Sequence, residues 1–362
     1  MKCYLILFQI CLITLLTGCQ VIPSLNANEI SIIQGVGFDI ASQHKLLGTI
    51  VYPEYQVDET SKIEIKNAEG ETVREIINRT QNEVQYPLVN GQLRIALFGE
   101  KLARKGLFPL LDTFNRSPAI GSKLQLAIVE GEASKLLSIK KYGKENIALY
   151  LSDMIFQNAK TGELPLSDLT IFSFKFYDEG SDPFLPILKK EKDKIRISGI
   201  ALFKNARVVS TLPIKDAFTF KMLLERFKMG THQYRLDENE HVVLGNIKSL
   251  PHYKVKVKNG NPEFNIQIKM DARIQEYSSN TQNAANPSKI KDVRKKIMRN
   301  IEQDTMRIIK QLQENDVDPL GLGAKFEAHY RNFELGKWEE QYPDVKVNVD
   351  VDLNIVHSGI IE

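Results

Sequence analysis

Apolar positions follow two periods along this chain, and the changes between them outline its elements. The last third is the clearest. Phe264, Ile266, Ile268, Met270 and Ile274 alternate with polar or small residues, which predicts a long strand over residues 263–274 with one buried face. Val345, Val347, Val349, Val351, Leu353 and Ile355 repeat that pattern and predict a second long strand. Between them Ile290, Val293, Ile297, Ile301, Ile308 and Leu312 recur at helical spacing, so residues 289–314 read as one long amphipathic helix after a polar loop at 276–288.

Upstream the signals are shorter and mixed. Residues 30–38, 46–55, 93–98 and 124–129 read as strands. Helices are expected over 71–79, from Glu100 to the closing Gly106, from about Pro109 to Phe114, and over 132–137. Ile147, Tyr150, Leu151, Met154 and Ile155 give one apolar helix face that stops near Gly162. Residues 179–194 carry Gly180, Pro183, Pro186 and a charged run, and read as a domain boundary. Beyond it come a hairpin (195–203 and 208–212, turning at Asn205), a helix over 217–227, and two strands, 242–247 and 253–257. Mixed order followed by long half-buried strands argues for an α+β fold with mixed or antiparallel sheets packed by helices, not for a doubly wound parallel sheet. The expected division is three domains: 29–180, 195–262 and 263–362.

The first residues have a different character. Lys2 precedes a mostly apolar run over residues 3–16, too short to span the roughly 30 Å of bilayer hydrocarbon. Residues 1–18 read as an export signal and 19–28 as a tether. The run ends at Leu16-Thr17-Gly18-Cys19, which resembles the lipobox of bacterial lipoproteins. That resemblance implies that Cys19 is alkylated through its thiolate and becomes the acylated first residue of the mature chain.

Composition narrows the chemistry. The 362 residues carry 48 Lys+Arg against 45 Asp+Glu, a net +3, which argues against a nucleic-acid partner. The three cysteines, Cys3, Cys11 and Cys19, all lie at the start, so the body holds no disulfide, thiolate metal cluster or cysteine nucleophile. The six histidines include no HExxH pair, and neither a Walker A motif nor a G-x-S-x-G elbow occurs. Gly35-x-Gly37 and Gly321-x-Gly323 lack the third glycine of a dinucleotide fingerprint and are read as turn glycines. Asn348, Asp350, Asp352 and Asn354 form a polar row on a solvated strand face. Lys291, Arg294, Lys295, Arg299 and Lys310 give the long helix a basic face suited to solvent, anionic lipid or an acidic partner. No catalytic residue, cofactor site or metal site is assigned.

Across residues 16–360 the order of motifs resembles the Ger(x)C family, the lipoprotein C subunits of spore germinant receptors. The residues that carry it are the lipobox, Gly35-Val36-Gly37-Phe38-Asp39, Gly91-Gln92-Leu93-Arg94, Gly99-Glu100-Lys101-Leu102-Ala103, Gly199-Ile200-Ala201-Leu202-Phe203-Lys204, and Asp318-Pro319-Leu320-Gly321-Leu322-Gly323 ahead of Trp338 and Tyr342-Pro343. The resemblance implies three α/β domains, no enzymatic activity, and a lipid anchor holding the body on the outer face of the spore inner membrane. It also implies integral-membrane A and B subunits as partners in nutrient-triggered germination. Two other classes are compatible with an exported lipoprotein: a transport-linked solute-binding protein, with two lobes and a cleft, and an envelope hydrolase.

Overall fold

The computed structural model describes residues 29–55, 61–139, 146–192, 194–258, 261–278 and 287–356. The expected export signal, the tether and Cys19 lie outside them. The first part of the chain runs β1 (Ser31–Ile32), β2 (Gly35–Ile40), β3 (Leu46–Tyr55), β4 (Ser61–Gly70), α1 (Val73–Gln81), β5 (Leu88–Val89), β6 (Ile95–Gly99), α2 (Glu100–Lys105) and α3 (Phe108–Arg116). It continues through β7 (Gln125–Val129), α4 (Ala133–Leu137), α5 (Ile147–Thr161), α6 (Leu169–Tyr177), β8 (Phe184–Glu191), β9 (Lys194–Lys204) and β10 (Arg207–Pro213). The remainder is α7 (Ala217–Leu224), β11 (His232–Asp237), β12 (Glu240–Lys258), β13 (Asn261–Ser278), α8 (Pro287–Glu314), α9 (Leu322–Glu327), α10 (Leu335–Gln341) and β14 (Lys346–Ile355).

The fold is α+β, as the pattern predicts. An eight-stranded sheet has the order β10-β9-β8-β7-β6-β2-β3-β4. Its four central strands, β8, β7, β6 and β2, are parallel, and an antiparallel hairpin closes each side. Apolar residues fill both faces of the parallel middle: Phe38, Phe98 and Ile128 on one, Leu97, Ala127 and Val129 on the other. Strands buried on both sides read as continuous apolar runs, so 93–98 and 124–129 show no alternation.

The hairpin expected to open a middle domain, β9–β10, hydrogen-bonds onto β8 and completes this sheet. Its turn places Asn205 and Ala206 at φ 50° and 58°, the positive values a two-residue hairpin turn requires. The segment read as a boundary is largely a strand: Phe184–Glu191 pairs with β9 from Phe184↔Leu202 to Glu191↔Lys194. Its charged end is the outer part of that hairpin.

The second large sheet has the order β11-β12-β13-β14. β13 and β14 are parallel, in register from Glu263↔Lys346 to Ala272↔Ile355. A parallel pair needs a long crossover, and α8 supplies it. The stripe of Val293, Ile297, Ile301, Ile308 and Leu312 packs against Phe264, Ile266, Ile268 and Met270. The strands expected at 242–247 and 253–257 are a single strand, β12, bent by irregularities between Val243 and Leu244 and between Gly245 and Lys248. Pro251 is tolerated there because β11 pairs with β12 only as far as Leu244.

Gly35 and Gly37 are strand residues, not turn glycines. A Cβ on Gly35 would overlap Ala148 of α5, and one on Gly37 would press on Leu137 and Ala133 of α4. Two helices thus lie directly on β2. Asp39, buried two residues farther along, receives the backbone N–H groups of Ala133 and Ser134, both at 2.8 Å. These amides open α4 and have no partner within the helix. Asp39→Ala is therefore expected to strand two buried donors and lower stability by about 3 kcal/mol, with Asp39→Asn losing less, in urea midpoints of the two variants.

Candidate functional site

The Asp318-Pro319-Leu320-Gly321-Leu322-Gly323 motif lies where the two large sheets meet. It joins the end of α8 to α9. Asp182, on the loop between α6 and β8, faces it. The N–H of Asp182 donates to the Asp318 carbonyl at 2.9 Å, and the N–H of Asp318 donates to Asp182 Oδ2 at 2.7 Å. Both aspartates precede proline, which favours an extended conformation and leaves their polar groups free of local helical bonding. The Gly323 N–H donates to Asp318 Oδ2 at 2.8 Å and so caps α9. Asp318 Oδ1 has no hydrogen-bond partner among the described residues.

Glycines make the approach possible. Gly180 and Gly323 touch backbone to backbone, and a Cβ on either would overlap the other's main chain. The Ala324 N–H donates to the Gly180 carbonyl at 3.2 Å. Gly321 has φ +63°, so it is a turn glycine as predicted, whereas Gly323 lies within α9 and is selected by contact.

Three lysines serve the joint. Lys175 of α6 donates to the Pro319 carbonyl at 2.7 Å. Lys325 donates to the carbonyls of Leu320 and Gly321 and lies 4.5 Å from the centre of the Tyr253 ring. Lys204, at the end of β9, is 3.4 Å from Asp182, 3.5 Å from Glu339 and 3.9 Å from Asp316. An aromatic wall closes the assembly. Trp338 and Tyr342 are buried with ring centres 5.4 Å apart, and the Tyr342 hydroxyl donates to the Val317 carbonyl at 2.6 Å. A cavity of about 150 Å³ remains between the loop and α10, lined by Asp182, Asp318, Lys204 and Trp338 among others.

Burial dominates the electrostatics. It pushes the Asp318 carboxyl up to about 6, against the pull of the Leu322 and Gly323 amides. It brings Lys175 down to about 8, helped by the neighbouring charge of Lys325. Asp182 is also raised by burial despite Lys204, and Lys325 is lowered by burial. Lys204 is held above its ordinary value because Asp182, Asp316 and Glu339 outweigh its desolvation. Among the described residues no group of three or more His, Asp or Glu side chains has metal-binding geometry. The site is suited to locking two units of the fold, with a carboxyl that titrates near neutral pH.

Other sequence candidates fall elsewhere. Cys19 is outside the described residues. The polar row of β14 is a ladder on the open sheet face: Asn348 bonds Glu263 and Asn265, and Asn354 bonds Asp271. On the basic face of α8, Arg294 binds the Leu353 carbonyl and Asp352, and Lys310 pairs with Glu314. Lys291, Lys295 and Arg299 are exposed, without an ion pair among the described residues. The structure does not bring this face and the joint together. Sequence reading missed Asp182, Lys175 and Lys204. The available signal was that Asp182-Pro183 and Asp318-Pro319 are the two Asp-Pro steps of the chain.

Comparison with known proteins gives a consistent picture. Residues 24–190 match the family described as spore germination protein N-terminal domain, and residues 198–359 match spore germination B3/GerAC-like, C-terminal. The chain is 33% identical to spore germination protein GerQC of Bacillus cereus over 92% of its own length and 94% of that protein. It is 24% identical to the putative spore germination protein YfkR of Bacillus subtilis, over 82% of this chain and 79% of that one. The crystal structure of the GerBC protein superposes with a TM-score of 0.58 at 17% identity, covering 89% of this chain and 97% of that one, which shows a shared fold.

The joint makes a pH-dependent prediction. Folded Asp318 keeps its proton up to about pH 6, whereas the unfolded carboxyl releases it near pH 4. The folded state therefore binds more protons between these values. The stability from this group is complete below about pH 4 and lost as pH rises through 6. Asp318→Asn, which stays neutral, is expected to shrink the stability difference between pH 4 and pH 7 by up to about 3 kcal/mol, read from urea unfolding of both proteins at each pH.

Proposed function

The chain belongs to the GerAC-like family of spore germination proteins, and from that membership we propose that it is the lipid-anchored, non-enzymatic C subunit of a nutrient germinant receptor. The observation that carries this reading is the match of nearly the whole body to the family behind a Leu16-Thr17-Gly18-Cys19 lipobox. Cys19 is the acceptor of the lipid, and the body stands on the outer face of the spore inner membrane. Integral-membrane A and B subunits are its partners, and the complex acts in nutrient-triggered germination.

Physical features support the reading. Among the described residues no helix is long and apolar enough to cross a membrane, so a lipid on Cys19 is a direct means of attachment. A tether also raises the local concentration of membrane-embedded partners, so docking surfaces need only modest intrinsic affinity. The interlocked joint favours a rigid body that presents its surfaces in fixed relation. The two large sheets differ in size and topology, which argues against the paired lobes of a hinged solute-binding protein.

The test is Cys19→Ala in the spore-forming host. The variant is expected to leave the spore membrane fraction and to reduce germination through the receptor that contains it, while receptors with other C subunits respond normally. Unchanged membrane retention and unchanged germination would overturn the anchored-subunit reading.

A further inference from the structure

A second cavity, remote from the joint, lies beneath α1 and α3 on one face of the eight-stranded sheet. Its volume is about 170 Å³. Val36 and Ile50 form its floor, and Ile76 of α1 and Phe114 of α3 form its walls. All four are almost wholly buried. Its polar lining is Thr49, which is buried and whose hydroxyl donates to Asn67, together with Asn90, Thr113, Ser117 and the exposed Arg74 at the rim. A dry apolar void of about 150 Å³ is large enough to take up benzene, so this space suits an apolar group of about six carbons.

The rim adds a charge preference. Arg74 is exposed and makes no ion pair among the described residues. Its helical neighbours Glu75 and Arg79 are paired with each other at 2.7 Å, and Glu75 also accepts from the Glu71 N–H. Arg74 is the second residue of α1, so its guanidinium lies beside the positive end of that helix. A carboxylate is the group such a fork binds with two parallel hydrogen bonds.

We propose that this cavity binds a small carboxylate carrying an apolar group of about six carbons. The apolar part lies against Ile50, Ile76 and Phe114, and the carboxylate meets Arg74 at the rim. The site is independent of the membrane-anchoring reading and stands or falls separately from it.

The experiment is isothermal titration of the full-length protein with acetate, hexanoate and decanoate, and with hexanamide as the uncharged counterpart. Hexanoate is expected to bind saturably, more tightly than acetate or decanoate and more tightly than hexanamide. Arg74→Gln, a change on an exposed position, is expected to weaken hexanoate at least tenfold and to leave hexanamide unaffected. Absence of saturable hexanoate binding would overturn the proposal. Equal binding by wild type and Arg74→Gln, or no dependence on chain length, would overturn it as well.

Discussion

Two aspartates that exchange hydrogen bonds across 136 residues hold the arrangement together. Asp182 ends the loop that leads into the eight-stranded sheet, and Asp318 begins the turn that follows α8. Each main chain bonds the other segment, and a continuous apolar core runs past them, from Phe184 and Leu202 to Ile308 and Tyr342. Apolar packing supplies attraction but little registry. The buried polar exchange supplies registry, because a small slide would leave charged or hydrogen-bonding groups unpaired in a low dielectric. Lys175 and Lys325 enforce the same geometry by donating to carbonyls of the 319–321 turn.

The same device occurs twice. Asp39 receives the first amides of α4, and Asp318 receives an amide at the start of α9. In each case glycines remove the Cβ atoms that would keep backbone and helix apart: Gly35 and Gly37 beneath α4 and α5, Gly180 and Gly323 at the joint. The two most distinctive short motifs of the chain, Gly-Val-Gly-Phe-Asp and Asp-Pro-Leu-Gly-Leu-Gly, thus have one physical meaning. Each seats a short helix against a strand or turn and closes its open end with a buried carboxylate. Both resemble part of a nucleotide loop in spacing, but here Gly35, Gly37 and Gly323 are taken up by close packing and the aspartates by helix amides.

Much of the architecture was legible from the chain. The long strands and helix of the last third follow from a sustained period with one buried face. The β9–β10 hairpin and the helix ending at Gly162 follow from turn and stop residues. Elements that escaped had conflicting local signals. β4 is an edge strand rich in Lys and Glu. α6, with Phe172, Phe174 and Phe176, is apolar on several sides and resembles a strand as much as a helix. The segment read as a boundary at 179–194 carries strand β8 and the charged end of its hairpin with β9, and the two family matches also divide there, at 190 and 198.

What the sequence determined by itself was the set of local elements, the α+β class and the likeness to a germination family. Periodicity, turn residues and linear motifs are all local in the chain. What only the tertiary structure decided was which Asp-Pro step meets which, which glycines are spaces rather than turns, and where cavities remain. These depend on atoms brought together from distant positions. Burial of Asp318, and so the shift of its carboxyl toward 6, exists only once both sheets have closed over it and excluded water.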